Sequence, residues 1–80
     1  MLPNLKEVKK VVGTKQAKRA IINNEVEKMV IAKDADTKLI NELVQLCNER
    51  SIEVIYVDNM KDLGKACGID VSAASAAILK

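Results

Sequence analysis

Apolar and polar positions along this chain fall into blocks that switch between helical and strand spacing. Asn4-Leu5-Lys6-Glu7 reads as a helix start, an Asn cap with Glu three residues on. Leu5, Val8 and Val12 then fall on one side, and the segment stops at Gly13. Val11-Val12 fits either the end of that helix or a short strand. Thr14 opens a second helix, in which Ala17, Ala20 and Ile21 make one small apolar stripe. Lys15, Lys18, Arg19 and Ile22 lie on its other sides, and Asn23-Asn24, both tolerant of left-handed backbone, ends it.

Val26 to Ala32 closes on four consecutive apolar residues, the pattern of an inner strand covered on both faces. Asp34 and Asp36 supply turn and cap chemistry. Residues 37–50 carry Leu39, Ile40, Leu43, Val44, Leu46 and Cys47 on one broad helical face, with Arg50 at the negative end of the dipole. Ile52 to Val57 is β-branched and aromatic, the clearest strand. Asp58-Asn59 caps a further helix with Leu63, Ala66 and Cys67 inward, closed by Gly68. From Val71 to Leu79 the alanines favour helix by propensity, yet Ala76-Ala77-Ile78-Leu79 could equally complete a sheet. Helices alternating with apolar strands indicate an α/β sheet layered with helices. With one Pro, three Gly and no linker, the 80 residues read as a single domain, 1–80.

Composition narrows the chemistry. The chain is 49% hydrophobic but has no His, Trp or Phe, and Tyr56 is its one aromatic residue. A His-dependent triad, a His-ligated metal and a His general base are excluded, as is a sheet of stacking aromatics for single-stranded RNA. The core must be built from Val, Ile, Leu, Ala and Met, which at this length leaves roughly 3–5 kcal/mol of net stability. Two cysteines, Cys47 and Cys67, fall short of a structural zinc site. Their spacing leaves a disulfide open, but the start has no signal-peptide pattern, and a reduced cytoplasmic setting is expected. No stretch approaches the ~18 apolar residues of a membrane span. Residues 1–33 hold eight Lys/Arg against three Glu, and residues 34–80 five against eight Asp/Glu. The first part is thus net basic, a pointer to a polyanionic partner.

Two segments carry candidate chemistry. In Gly13-Thr14-Lys15-Gln16-Ala17-Lys18-Arg19 a Gly precedes a helix whose start bears Lys15, with Arg19 four residues on along the same face. Free backbone N–H groups at a helix start attract anions, and Gln16 adds an amide able to read a base edge. The spacing of a Walker loop is absent, and a solvated helix face is the plainer alternative. In Leu63-Gly64-Lys65-Ala66-Cys67-Gly68-Ile69-Asp70-Val71 two glycines flank Cys67, and Ile69-Asp70-Val71 is expected as a loop. Its two aliphatic side chains could cap a partner or turn into the core. Asp34 and Asp36 are caps rather than a metal site, and no constellation supports acid–base or thiol catalysis. No enzyme activity, metal or cofactor is expected.

Taken in order, Gly13-Thr14-Lys15-Gln16-x-x-Arg19, Val30-Ile31-Ala32-Lys33-Asp34-Ala35-Asp36 and Leu63 to Val71 resemble the kink-turn-binding ribosomal protein superfamily. The chain is most similar to its short YbxF-type form in Gram-positive bacteria, from about Val8 to Leu79. The resemblance implies a three-layer α-β-α sandwich with a four-stranded mixed sheet, in which Val11-Val12 and the Ala-rich tail are strands. It also implies binding to a kink-turn, a bent RNA internal loop with tandem sheared G·A pairs, in ribosomal or riboswitch RNA. Gly13, Thr14, Lys15 and Gln16 match the helix start that enters the groove at the kink, Lys15 and Gln16 being the pair that reads the guanines. Arg19 matches a basic contact to backbone or base. Ile69, Asp70 and Val71 match the loop over the extruded nucleotide.

The chain also departs from many relatives. Lys15-Gln16 stands in place of Asn-Glu, Met60 in place of a Lys, with the adjacent Lys61 as the candidate RNA-binding residue there, and Thr37 in place of a Pro. Lys cannot accept a hydrogen bond and Gln carries no charge, so binding with a larger electrostatic share and a steep salt dependence is expected. The expected partner is structured RNA, with the ribosome as one setting, bound by a monomer away from membranes. Two alternatives are a protein-interaction module on the same fold without specific RNA binding, and an α/β protein holding a phosphate ligand at the Gly13 helix start.

Overall fold

The computed structural model describes residues 8–80, so the Asn4–Glu7 helix start lies outside the described residues. Seven elements follow one another: β1 (Lys10–Val12), α1 (Thr14–Ile22), β2 (Val26–Ala32), α2 (Thr37–Glu49), β3 (Glu53–Val57), α3 (Met60–Cys67) and β4 (Ser75–Leu79). Val11 and Val12 are sheet residues, paired with Ala77 and Ala76, so no helix from the N-terminal side reaches Gly13.

The strands lie in the order β1-β4-β2-β3. β4 runs antiparallel to both β1 and β2, and β2 runs parallel to β3. The sheet is therefore mixed, with the last strand inserted at its centre. Strand periodicity sorts its side chains between two cores. Met29 and Ile31 of β2 and Ala77 of β4 face Ala17, Ala20 and Ile21 of α1 and Leu43 and Cys47 of α2. Val30 and Ala32 of β2, Ala76 and Ile78 of β4 and Val57 of β3 face Leu63 and Cys67 of α3. Helices α1 and α2 thus cover one face and α3 the other, giving the three-layer α-β-α sandwich that the family resemblance implies.

The undecided Ala-rich tail is a strand because of where it sits. Ala76 and Ala77 are fully buried between two neighbouring strands and between helices of both outer layers. Small side chains let those helices approach a central strand, and ladder hydrogen bonds on both sides outweigh the helix propensity of alanine. The same layering settles the cysteines. Cys47 lies in the core under α2 and Cys67 in the core under α3, both free and on opposite faces of the sheet, so they do not form a disulfide with each other.

Candidate nucleic-acid interface

The helix starts gather at one end of the sheet, beyond the C-terminal ends of β1, β2 and β3, which is where α/β proteins place their sites. Two helices there are capped by side chains. Asp36 accepts from the Lys38 N–H at 2.9 Å on α2, and Asn59 accepts from the Asp62 N–H at 2.7 Å on α3. Asp34 adds a second bond to α3 from outside it, accepting from the Met60 N–H at 2.8 Å. Both carboxylates of the acidic turn are therefore spent on caps.

Helix α1 is built differently. Gly13 precedes it with φ 106°, a backbone that L side chains rarely adopt, and among the described residues no side chain caps the helix. The first helical hydrogen bond runs from the Ala17 N–H to the Gly13 carbonyl at 2.9 Å. The N–H groups of Thr14, Lys15 and Gln16 stand ahead of it, at the positive end of the helix dipole. No acidic residue occupies the first turn. Lys15, Gln16 and Arg19 are all exposed and line one shallow depression. Lys18, between them in sequence, turns to α2 and pairs with Glu42. Its hydrogen bond, and secondarily its charge, hold the Glu42 carboxyl below the usual carboxylate range. Among the described residues, the cations at the start of α1 that face this depression are Lys15 and Arg19.

The loop after α3 comes to the same place. Gly68 adopts the left-handed conformation, with the Ile69 N–H bonded to the Gly64 carbonyl at 3.1 Å and the Gly68 N–H to the Lys65 carbonyl at 3.0 Å, a Schellman stop. Ile69 is half-buried against the α3-side core, whereas Asp70 is exposed and Val71 is 69% exposed. The two aliphatic residues of the loop divide between the two roles open to them: Ile69 anchors and Val71 is presented. The chain then enters β4 at Ser75, whose carbonyl accepts from the Gly13 N–H at 3.0 Å. Lys61 is exposed in the first turn of α3, at this end of the sheet but on the opposite layer from Lys15.

The structure thus brings Gly13, Thr14, Lys15, Gln16 and Arg19 together and ties them through Ser75 to the loop that carries Val71. Ser75 is not legible as a site residue in the sequence, Gly64 is read there only as a glycine flanking Cys67, and Asp34 only as a local turn and cap. Ser75 is a fully buried Ser in an apolar run, and its hydroxyl lies 3.2 Å from that of Thr14. Gly64 sits inside a helix, where glycine costs about 1 kcal/mol relative to Ala, and that cost is itself a signal of close approach.

An α-β-α sandwich with a cationic, uncapped helix start beside an aliphatic loop defines the class. Residues 2–80 match the ribosomal protein L7Ae/L30e/S12e/Gadd45 family, and the chain belongs to that family. It is 50% identical over 70 residues to the RNA-binding protein BH0128 of Halalkalibacterium halodurans, covering 88% of this chain and 85% of that one. It is 46% identical over 70 residues to the RNA-binding protein YbxF of Geobacillus stearothermophilus, with the same shares covered. Among solved structures, the 15.5kD RNA binding protein of Giardia lamblia superposes with a TM-score of 0.83 at 25% identity, covering 89% of this chain. This chain spans 60% of that longer protein.

Proposed function

We propose that this chain is an RNA-binding protein that captures kink-turn RNA, as a cytoplasmic monomer, in a ribosomal or riboswitch setting. One observation carries the reading: the uncapped start of α1, with Lys15, Gln16 and Arg19 exposed, shares one end of the sheet with the exposed side chain of Val71. The relatives named as RNA-binding proteins support it. The start of α1 enters the widened groove at the kink. Gln16 supplies both a donor and an acceptor to a guanine edge, and Lys15 donates to guanine acceptors or phosphate. Arg19 holds the backbone. Val71 offers an aliphatic surface to a nucleotide that has left its stack. The protein binds one pre-existing conformer of the RNA and shifts the population toward it.

The test is a fluorescence titration against a kink-turn RNA and a variant whose tandem G·A pairs are replaced by Watson–Crick pairs. Preference for the first supports the reading. Equal affinity reduces it to polyanion binding, and no binding near physiological salt leaves an interaction module on this fold.

A further inference from the structure

The loop that presents Val71 does not hang free from α3. It runs back along the outside of the helix and is fastened at three points. The Ile69 N–H donates to the Gly64 carbonyl at 3.1 Å, and the Ala73 N–H donates to the Met60 carbonyl, one helical turn further back, at 3.0 Å. Between them the Val71 carbonyl rests on Gly64. A Cβ at position 64 would lie 2.1 Å from the Val71 oxygen, 3.1 Å from its carbonyl carbon and 3.2 Å from the Ser72 Cα. All three are backbone atoms, so no side-chain rotation relieves the clash. Gly64 is buried, and it has an ordinary negative φ, so its backbone conformation does not demand glycine. What demands it is the bare α-carbon against which the loop lies.

From this we infer that Gly64 is a positioning residue for RNA recognition: its missing side chain seats the Val71 carbonyl on α3 and so holds the Val71 side chain outward, ready for an unstacked nucleotide. The inference rests on the RNA-binding function proposed above. Three features favour a fixed presentation over plain packing. The Val71 carbonyl is the group turned toward the helix, yet the residue is 69% exposed, so the close approach buries backbone and leaves the aliphatic group outside. Ile69, two residues earlier, supplies the core contact that the Schellman stop needs. The Met60 end of α3 is itself pinned by Asp34 from the turn after β2, so the surface under the loop has a fixed place at this end of the sheet. A surface already in its bound shape spares the ordering cost on binding.

Gly64→Ala must lift residues 71–72 off the helix, while alanine raises the helix propensity of α3. The test is a double-mutant cycle with Val71→Ser, read by titration against kink-turn RNA and against a straight duplex of the same length. Gly64→Ala should weaken kink-turn binding about ten-fold, and leave the duplex, held through Lys15 and Arg19, within about two-fold of the parent. In the Val71→Ser background Gly64→Ala should cost little more, because both changes act on the same aliphatic surface. Parental kink-turn affinity for Gly64→Ala overturns the inference, as do equal effects on both RNAs or effects that simply add. If the parent itself shows no kink-turn preference, the proposed function fails instead, which separates the two. Should Gly64→Ala not fold, amide exchange on the parent decides. Protection of the Ile69 and Ala73 amides in the free protein supports a seated loop; protection that appears only with RNA contradicts it.

Discussion

The hydroxyl of Thr14 lies 3.2 Å from that of Ser75, joining the first turn of α1 to the first residue of the central strand. The pair is asymmetric, since Ser75 is fully buried and Thr14 only partly. Thr14→Val would leave the Ser75 hydroxyl without its partner in the core, a cost of about 1–3 kcal/mol. Ser75→Ala leaves a Thr14 hydroxyl that can turn toward water, at about 0.5–1.5 kcal/mol. Urea unfolding should show the first variant as the weaker, and the double variant should cost less than the two singles together. Equal or additive costs would mean that the hydroxyls do not depend on each other.

Lys15 and Arg19 stand exposed on α1 while Lys18 is committed to Glu42. Lys15→Ala and Arg19→Ala should each weaken RNA binding. The slope of log affinity against log salt should become shallower by ~0.7–0.9 for each phosphate that is no longer neutralised. Lys18→Ala should change that slope less than either. If Lys18→Ala has the largest effect, the RNA lies over the α1–α2 groove and not over the helix start.

Val71 is 69% exposed and turns away from both cores, so Val71→Asp adds a charge without burying it. The variant should keep the thermal midpoint of the parent to within a few degrees, since surface changes usually fall within about 0.5 kcal/mol. It should lose preference for kink-turn RNA over duplex. A variant that unfolds, or one that binds like the parent, would each remove Val71 from the interface.

Burial pushes both thiols above their ordinary value, for Cys67 against a smaller opposing pull from Lys10. A raised folded-state value favours the neutral thiol. The stability it contributes is complete at neutral pH, below the ordinary thiol value of about 8.5, and is lost as pH rises through the raised folded value. The urea midpoint should therefore fall above about pH 8.5, and a Cys47→Ala/Cys67→Ala double variant should fall less over the same range. At neutral pH a thiol reagent should label either cysteine only as fast as the structure opens. Immediate labelling of the folded protein would contradict the burial of these groups.

Much of this architecture is legible along the chain where one local pattern decides it. β2 announces itself by Met29-Val30-Ile31-Ala32, α2 by its broad stripe and the Asp36 cap, and the stop of α3 by Gly68. The Ala17-Ala20-Ile21 stripe is the buried face of α1. β4 is not legible from propensity, because its alanines are chosen for close packing on both sides of a central strand. Val11-Val12 is undecidable for a similar reason: three residues become a strand only by pairing with Ile78, Ala77 and Ala76. At the site, the helix start is readable as Gly-Thr-Lys-Gln. The division of labour between Ile69 and Val71 is not, since it depends on a loop folding back over Gly64. Nor is the bond from Asp34 to Met60, which spans 26 positions.

The most direct measurement follows the RNA and not the protein. A kink-turn RNA labelled with a donor and an acceptor on its two helical arms is titrated with the protein in magnesium-free buffer, beside a copy lacking the G·A pairs. Capture of the kinked conformer should raise energy transfer saturably in the first RNA and leave the second unchanged. Binding without a rise in transfer, or an equal rise in both RNAs, would contradict recognition of the kink.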